Sequence, residues 1–107
     1  MPAPFPVVRA RLDSALAGRD LARVRAAARE LPGVVTLADA VQILVLMEEV
    51  QDRAFEAAAV RWIGRLATEC RGLTLGSVHA AVEALDALPA PDATATLMSL
   101  IKRHSGA

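Results

Sequence analysis

Apolar residues recur along this chain at three- and four-residue intervals, in segments separated by Gly, Pro and capping residues, and nowhere in sustained alternation. That is the spacing of amphipathic helices rather than strands. The densest segment is residues 36–50, TLADAVQILVLMEEV, in which Gln42 is the only polar residue between Val41 and Met47. A helix apolar nearly all round must be covered nearly all round. Fifteen residues also fall short of the roughly twenty that span a bilayer. The expected fold is all-α: a compact array of about six short antiparallel helices around this central one.

The flanking segments fill in that array. Residues 1–6 hold three prolines and read as an extended lead-in, with Pro6 suited to a first helical position. A helix over residues 7–17 places Val8, Leu12, Ala15 and Leu16 on one face, and Gly18 serves as its left-handed stop. Asp20 caps a helix over 21–31 with Leu21, Val24, Ala28 and Leu31 inward. Thr36 caps the central helix, and Asp39, three residues on, makes an acidic relative of the capping box. Asp52, Thr74 and Asp92 are the expected caps of helices over 53–70, 75–88 and 93–104, and residues 105–107 should fray. The helix over 75–88 turns Leu75, Val78, Val82 and Leu85 inward, and the last one Leu97, Leu100 and Ile101. Residues 7–104 thus form one domain. A chain of this length buries roughly 65% of its unfolded surface, enough for one core.

The helix over 53–70 carries two stripes. One is Phe55, Ala59, Trp62, Ile63, Leu66 and Cys70; the other, of small residues, is Ala57, Val60, Gly64 and Ala67. Two stripes predict two packing partners, one of them close. There is also an internal echo: LARVRAAAREL at 21–31 aligns on LGSVHAAVEAL at 75–85, and Thr36-Leu37 recurs as Thr74-Leu75. A repeat period in the thirties is that of stacked helical hairpins.

Composition narrows the function more than the fold. Hydrophobic residues make up 54%, mean hydropathy is +0.37 and 23 residues are alanine, which favours helix and close packing. Eleven of the twelve cations are Arg, which with the alanine points to a high-GC bacterial genome. Formal net charge is zero and the pI is about 6.7, so there is no global pull toward nucleic acid or anionic membrane. The three aromatics, with no Tyr, offer no platform for stacked bases. Cys70, the single cysteine, excludes an intrachain disulfide and reads as a buried small hydrophobe. No signal peptide is visible, so a cytoplasmic location is expected.

Candidate chemistry is sparse. Arg19, Arg23, Arg25 and Arg29 line the polar side of the second helix, either as an acidic-partner patch or as a solvated face that covers apolar surface. Glu48, Glu49, Asp52 and Glu56 make an acidic corner without the Glu-x-x-His pattern of a bundle metal site. His79, Glu83 and Asp86 share one flank of the fifth helix, as half of an acid–base site or as the wet edge of an amphipathic helix. Trp62, flanked by Arg61 and Arg65, is a core residue or an interface anchor. Ala80, Ala84 and Ala87 form a small-residue strip that could carry a contact. No nucleophile elbow, phosphate-cradling glycine loop or recognition helix with basic side chains is present. No catalytic residue, metal site or cofactor is therefore expected.

Six short, capped helices in about a hundred residues resemble two groups of protein–protein modules. These are the α-hairpin repeats of tetratricopeptide and HEAT type, and the death-fold-like adaptors that include helical effector-associated domains of bacterial conflict systems. The resemblance spans the chain and rests on helix number, length and capping. It implies action by binding other proteins and transfers no site residue. The resulting expectation is a non-enzymatic interaction or regulatory domain that self-associates through surplus apolar surface. The alternative is a nucleic-acid-associated regulator using the first 35 residues, where six Arg meet Asp13, Asp20 and Glu30.

Overall fold

Side-chain caps start three of the six helices. The backbone N–H of Arg23 donates to Asp20 Oδ1 at 3.2 Å, and that of Ser77 donates to Thr74 Oγ1 at 3.1 Å. Thr36 and Asp39 close a full capping box, Asp39 N–H to Thr36 Oγ1 at 3.1 Å and Thr36 N–H to Asp39 Oδ2 at 3.0 Å. The structure, a computed structural model, describes residues 4–104. Its helices are α1 (Phe5–Ala17), α2 (Leu21–Glu30), α3 (Leu37–Glu49), α4 (Phe55–Glu69), α5 (Leu75–Ala87) and α6 (Pro91–His104), with one 3-10 turn at Pro32–Val34. No strand occurs among the described residues. The tail at 105–107 and the first three residues of the lead-in lie outside them.

Three helix starts differ from expectation, and so does the end of the first helix. The first helix begins at Phe5, two residues early, because Pro6 fits within its first turn; Pro4, which precedes it, is extended. Asp52 is not a helix cap: α4 starts after Ala54, and the Asp52 carboxylate is drawn instead to Arg25, accepting from Ala54 N–H as well. Asp92 lies inside α6, which opens on Pro91, where a missing N–H costs nothing. At the end of α1 the left-handed residue is Arg19 (φ 55°), while Gly18 stays right-handed. Gly72, at φ 73°, turns the chain after α4.

Consecutive helices pack as three pairs, α1 with α2, α3 with α4 and α5 with α6. Connections this short make each pair antiparallel. Thr36 and Thr74 cap the first helix of the second and third pairs, so that echo follows the pairing. The echo between α2 and α5 does not, because it matches a second helix to a first. Helix α3 also packs on α2 and α6, which makes it the centre that its composition predicts; of its residues only Gln42 and Glu49 are exposed. The molecule measures 43 × 31 × 20 Å.

In this flattened shape the buried side chains form two clusters instead of the single core expected. Val8, Leu12, Ala15, Val24, Ala27, Val34 and Leu46 make one. Val41, Leu44, Met47, Trp62, Leu66, Leu85 and Leu97 belong to the other. Helix α3 contributes to both, and Ile43 packs against both.

Helix α5 is rotated from the expected orientation. Ala81, Ala84, Leu85 and Leu88 are buried, whereas Leu75 is 89% exposed and Val82 is exposed. Ala81 and Ala84 share the buried side of α5 with Leu85, and Leu75 and Val82 turn outward. Leu75→Ser should therefore shift stability by less than about 0.5 kcal/mol. A thermal melt checks this; a fall of about 2 kcal/mol or more would restore Leu75 to the core.

Candidate functional site

The charged groups singled out above first meet one another. The Arg25 guanidinium grips Asp52 in a two-pronged pair, at 2.7 and 2.9 Å, and Arg19 pairs with Glu49. Arg19 and Arg25 thus meet Glu49 and Asp52 in a seam that joins α2 to the end of α3. The Arg25 hydrogen bonds lower the Asp52 carboxyl below its usual range, and Asp52 in turn raises Arg25. Glu48 accepts from the Gln51 amide at 3.1 Å. Arg23 and Arg29 have no ion-pair partner among the described residues.

One polar cluster has no counterpart in the expectations. Arg9 on α1 reaches the buried Asp39, Asp13 at 2.7 Å and the Val34 carbonyl at 3.2 Å. Asp39, 8% exposed, is the one buried charged residue described. Burial pushes its carboxyl up, but hydrogen bonds from Arg9 and Thr36 outweigh this and hold it below the ordinary value. The pair spans 30 residues of sequence, so no local pattern could announce it.

His79 and Glu83 form an exposed pair at 2.8 Å, one helical turn apart. Asp86, on the same flank of α5 a turn beyond Glu83, makes no ion pair among the described residues and stands on the rim of a groove. No three His, Cys, Asp or Glu side chains among the described residues come together as a metal site would require. Ala84 is 6% exposed, packed in the larger core cluster; Ala80 is half-buried and Ala87 exposed. A charge at Ala84 would therefore test the fold rather than a contact. Cys70 is buried at the end of α4; burial, then the neighbouring Glu69, pushes its thiol up, away from a reactive thiolate.

What remains open is the outer side of α4. Its first stripe is inward: Ala59, Trp62, Leu66 and Cys70 are buried, and the Trp62 indole N–H donates to the Leu37 carbonyl at 3.1 Å. Its second stripe is uncovered. Ala57, Val60, Gly64 and Ala67 are all exposed, Val60 at 66%. Gly64 stands in the middle of a helix, where glycine costs about 1 kcal/mol relative to alanine. A Cβ there would meet nothing within 4 Å, so the fold itself has no use for the glycine.

An apolar groove runs along each flank of this stripe. Between α3 and α4, Ile43, Met47 and Ala58 surround a floor of Trp62, rimmed by Arg61 and Arg65, with a volume of about 160 Å³. Between α4 and α5, Phe55, Ile63 and Val82 line a groove of about 90 Å³ rimmed by Glu56 and Asp86. Both are well below the roughly 300 Å³ of a small-molecule site, and suit one or two protein side chains. Arg65 is tied to Glu69 at 2.7 Å and to the Val35 carbonyl at 2.9 Å. Arg61, Glu56 and Asp86 have no ion-pair partner among the described residues. One flank is basic and the other acidic.

Fold and surface together define the class: an all-helical array of six helices packed as consecutive pairs, with the outer side of α4 uncovered. Comparison with protein-family models, with curated proteins and with solved structures finds no match. No helix among the described residues is long and apolar enough to cross a membrane.

Proposed function

We propose that this protein is a non-enzymatic, cytoplasmic bacterial interaction domain that works through protein–protein contacts, including contacts with its own copies. The observation that supports this reading is the open face of α4, where exposed apolar residues lie between two side-chain-sized grooves. Contiguous apolar surface of this kind on a monomer marks an interaction site. The pairwise stacking of helices supports the likeness to α-hairpin-repeat modules, as an analogy of architecture.

Light scattering or sedimentation of the full chain over a concentration series tests the self-association. A mass that rises toward twice the 11.3 kDa of the chain is the expected result. A monomer at every concentration up to the millimolar range would sink it. The alternative, nucleic-acid association through the first 35 residues, has less support. Four of the six arginines there, Arg9, Arg11, Arg19 and Arg25, are engaged by carboxylates of the chain itself.

A further inference from the structure

We infer that the outer face of α4 docks on the same face of a second copy, with the two helices parallel and related by a twofold axis along them. This rests on the self-association reading and names its surface, its partner and its orientation.

The partner follows from charge. The face is apolar along its centre, with Arg61 and Arg65 on one flank and Glu56 and Asp86 on the other. A surface of one sign would call for a partner of the opposite sign. A surface carrying both signs on opposite flanks is complementary to itself, provided the orientation brings unlike flanks together. The chain as a whole has zero formal net charge, so approach of two copies meets no general repulsion.

The orientation follows from helix geometry. Ala57, Val60, Gly64 and Ala67 are spaced 3, 4 and 3 residues apart, as the a and d positions of a coiled coil are. In that register Glu56 is a g position, Arg61 an e position, and Trp62 points away into the core, where it is observed. When two such helices pack in parallel, g of one faces e of the other on both sides of the seam. Glu56 of each copy then meets Arg61 of the other, and Asp86 on α5 adds a second negative charge on the same side as Glu56. When they pack antiparallel, each flank meets its own equivalent and Arg61 opposes Arg61. Only the parallel arrangement pairs the unpartnered Glu56 and Arg61 with their opposites. The side chains along the seam are small, so the helices approach closely and Val60 meets its symmetry mate.

A twofold contact of this kind is closed and stops at the dimer. The seam spans one helix of 15 residues, about 22 Å long, and buries less than a standard interface. The dimer is therefore a weak one, sensitive to concentration and, through its flanking ion pairs, to salt.

The test is sedimentation equilibrium of the full chain at low salt, with Glu56→Arg, Arg61→Glu and the double variant. Both positions are exposed, and far-UV circular dichroism verifies that each variant stays folded. The expected result is a wild-type dimer, a rise of tenfold or more in dissociation constant for either single reversal, and restoration in the double variant. A wild-type dimer indifferent to the single reversals would overturn the α4 assignment while leaving self-association standing. Loss in the singles without recovery in the double would overturn the parallel pairing. A wild-type monomer throughout would overturn both this inference and the self-association reading, leaving the face to a different protein.

Discussion

Trp62→Ala should lower stability by about 3–5 kcal/mol, the range for large aromatic truncations in a core. Against the about 5–15 kcal/mol that holds a typical domain together, this is the most damaging single change predicted for the chain. Trp62 is 2% exposed and lies at the junction of α3 and α4. Its removal leaves a cavity that the surrounding aliphatic residues fill only in part. The Leu37 carbonyl also loses its indole donor, in the first turn of the central helix. Trp62→Phe bounds the two contributions, because it keeps most of the volume and loses the hydrogen bond, worth about 1 kcal/mol, with only part of the ring. Urea denaturation of the three proteins measures both. If Trp62→Ala costs less than about 1 kcal/mol, the α3–α4 junction is not the centre of the core.

Asp39→Ala should cost about 2–4 kcal/mol, the sum of a lost cap and lost charge-assisted hydrogen bonds. The carboxylate holds the Thr36 N–H and the Arg9 guanidinium at once, so α1 loses its tie to the start of α3. The effect has a pH signature of definite sign. The folded carboxyl titrates below its ordinary value, so the native state prefers the charged form. The stability it contributes is fully present above the unfolded carboxylate pKa of 3.8, and is lost as pH falls through the depressed folded value. The gap in melting temperature between wild type and Asp39→Asn should therefore be largest near neutral pH and close as acid protonates Asp39. A gap that stays constant into strong acid would mean that the charge of Asp39 contributes nothing.

The helices themselves were legible in the sequence because their signals are local. Asp20, Thr36 and Thr74 cap where expected, since a side chain reaching a backbone N–H three residues on needs no other part of the molecule. The central role of α3 was legible for a similar reason: a segment apolar on nearly every side has few places to be. The fourth helix announced both of its stripes by periodicity alone.

Tertiary structure decided everything that depends on which side chains meet. Asp52 reads as a cap until α2 brings Arg25 to it, and the stronger two-pronged pair wins. The arginine face and the acidic corner are separate features of the sequence, and only the packing of α2 on α3 pairs Arg19 with Glu49 and Arg25 with Asp52. In α5, apolar residues lie on more than one side, so periodicity allowed a stripe through Leu75 and Val82 as readily as one through Ala81 and Leu85. Packing in the folded chain selected the stripe through Ala81 and Leu85 and left Leu75 in solvent. Sequence likewise promised α4 a second, close partner. The packed chain leaves that stripe bare, because α3 and α5 lie along its flanks and no other helix of the array covers it.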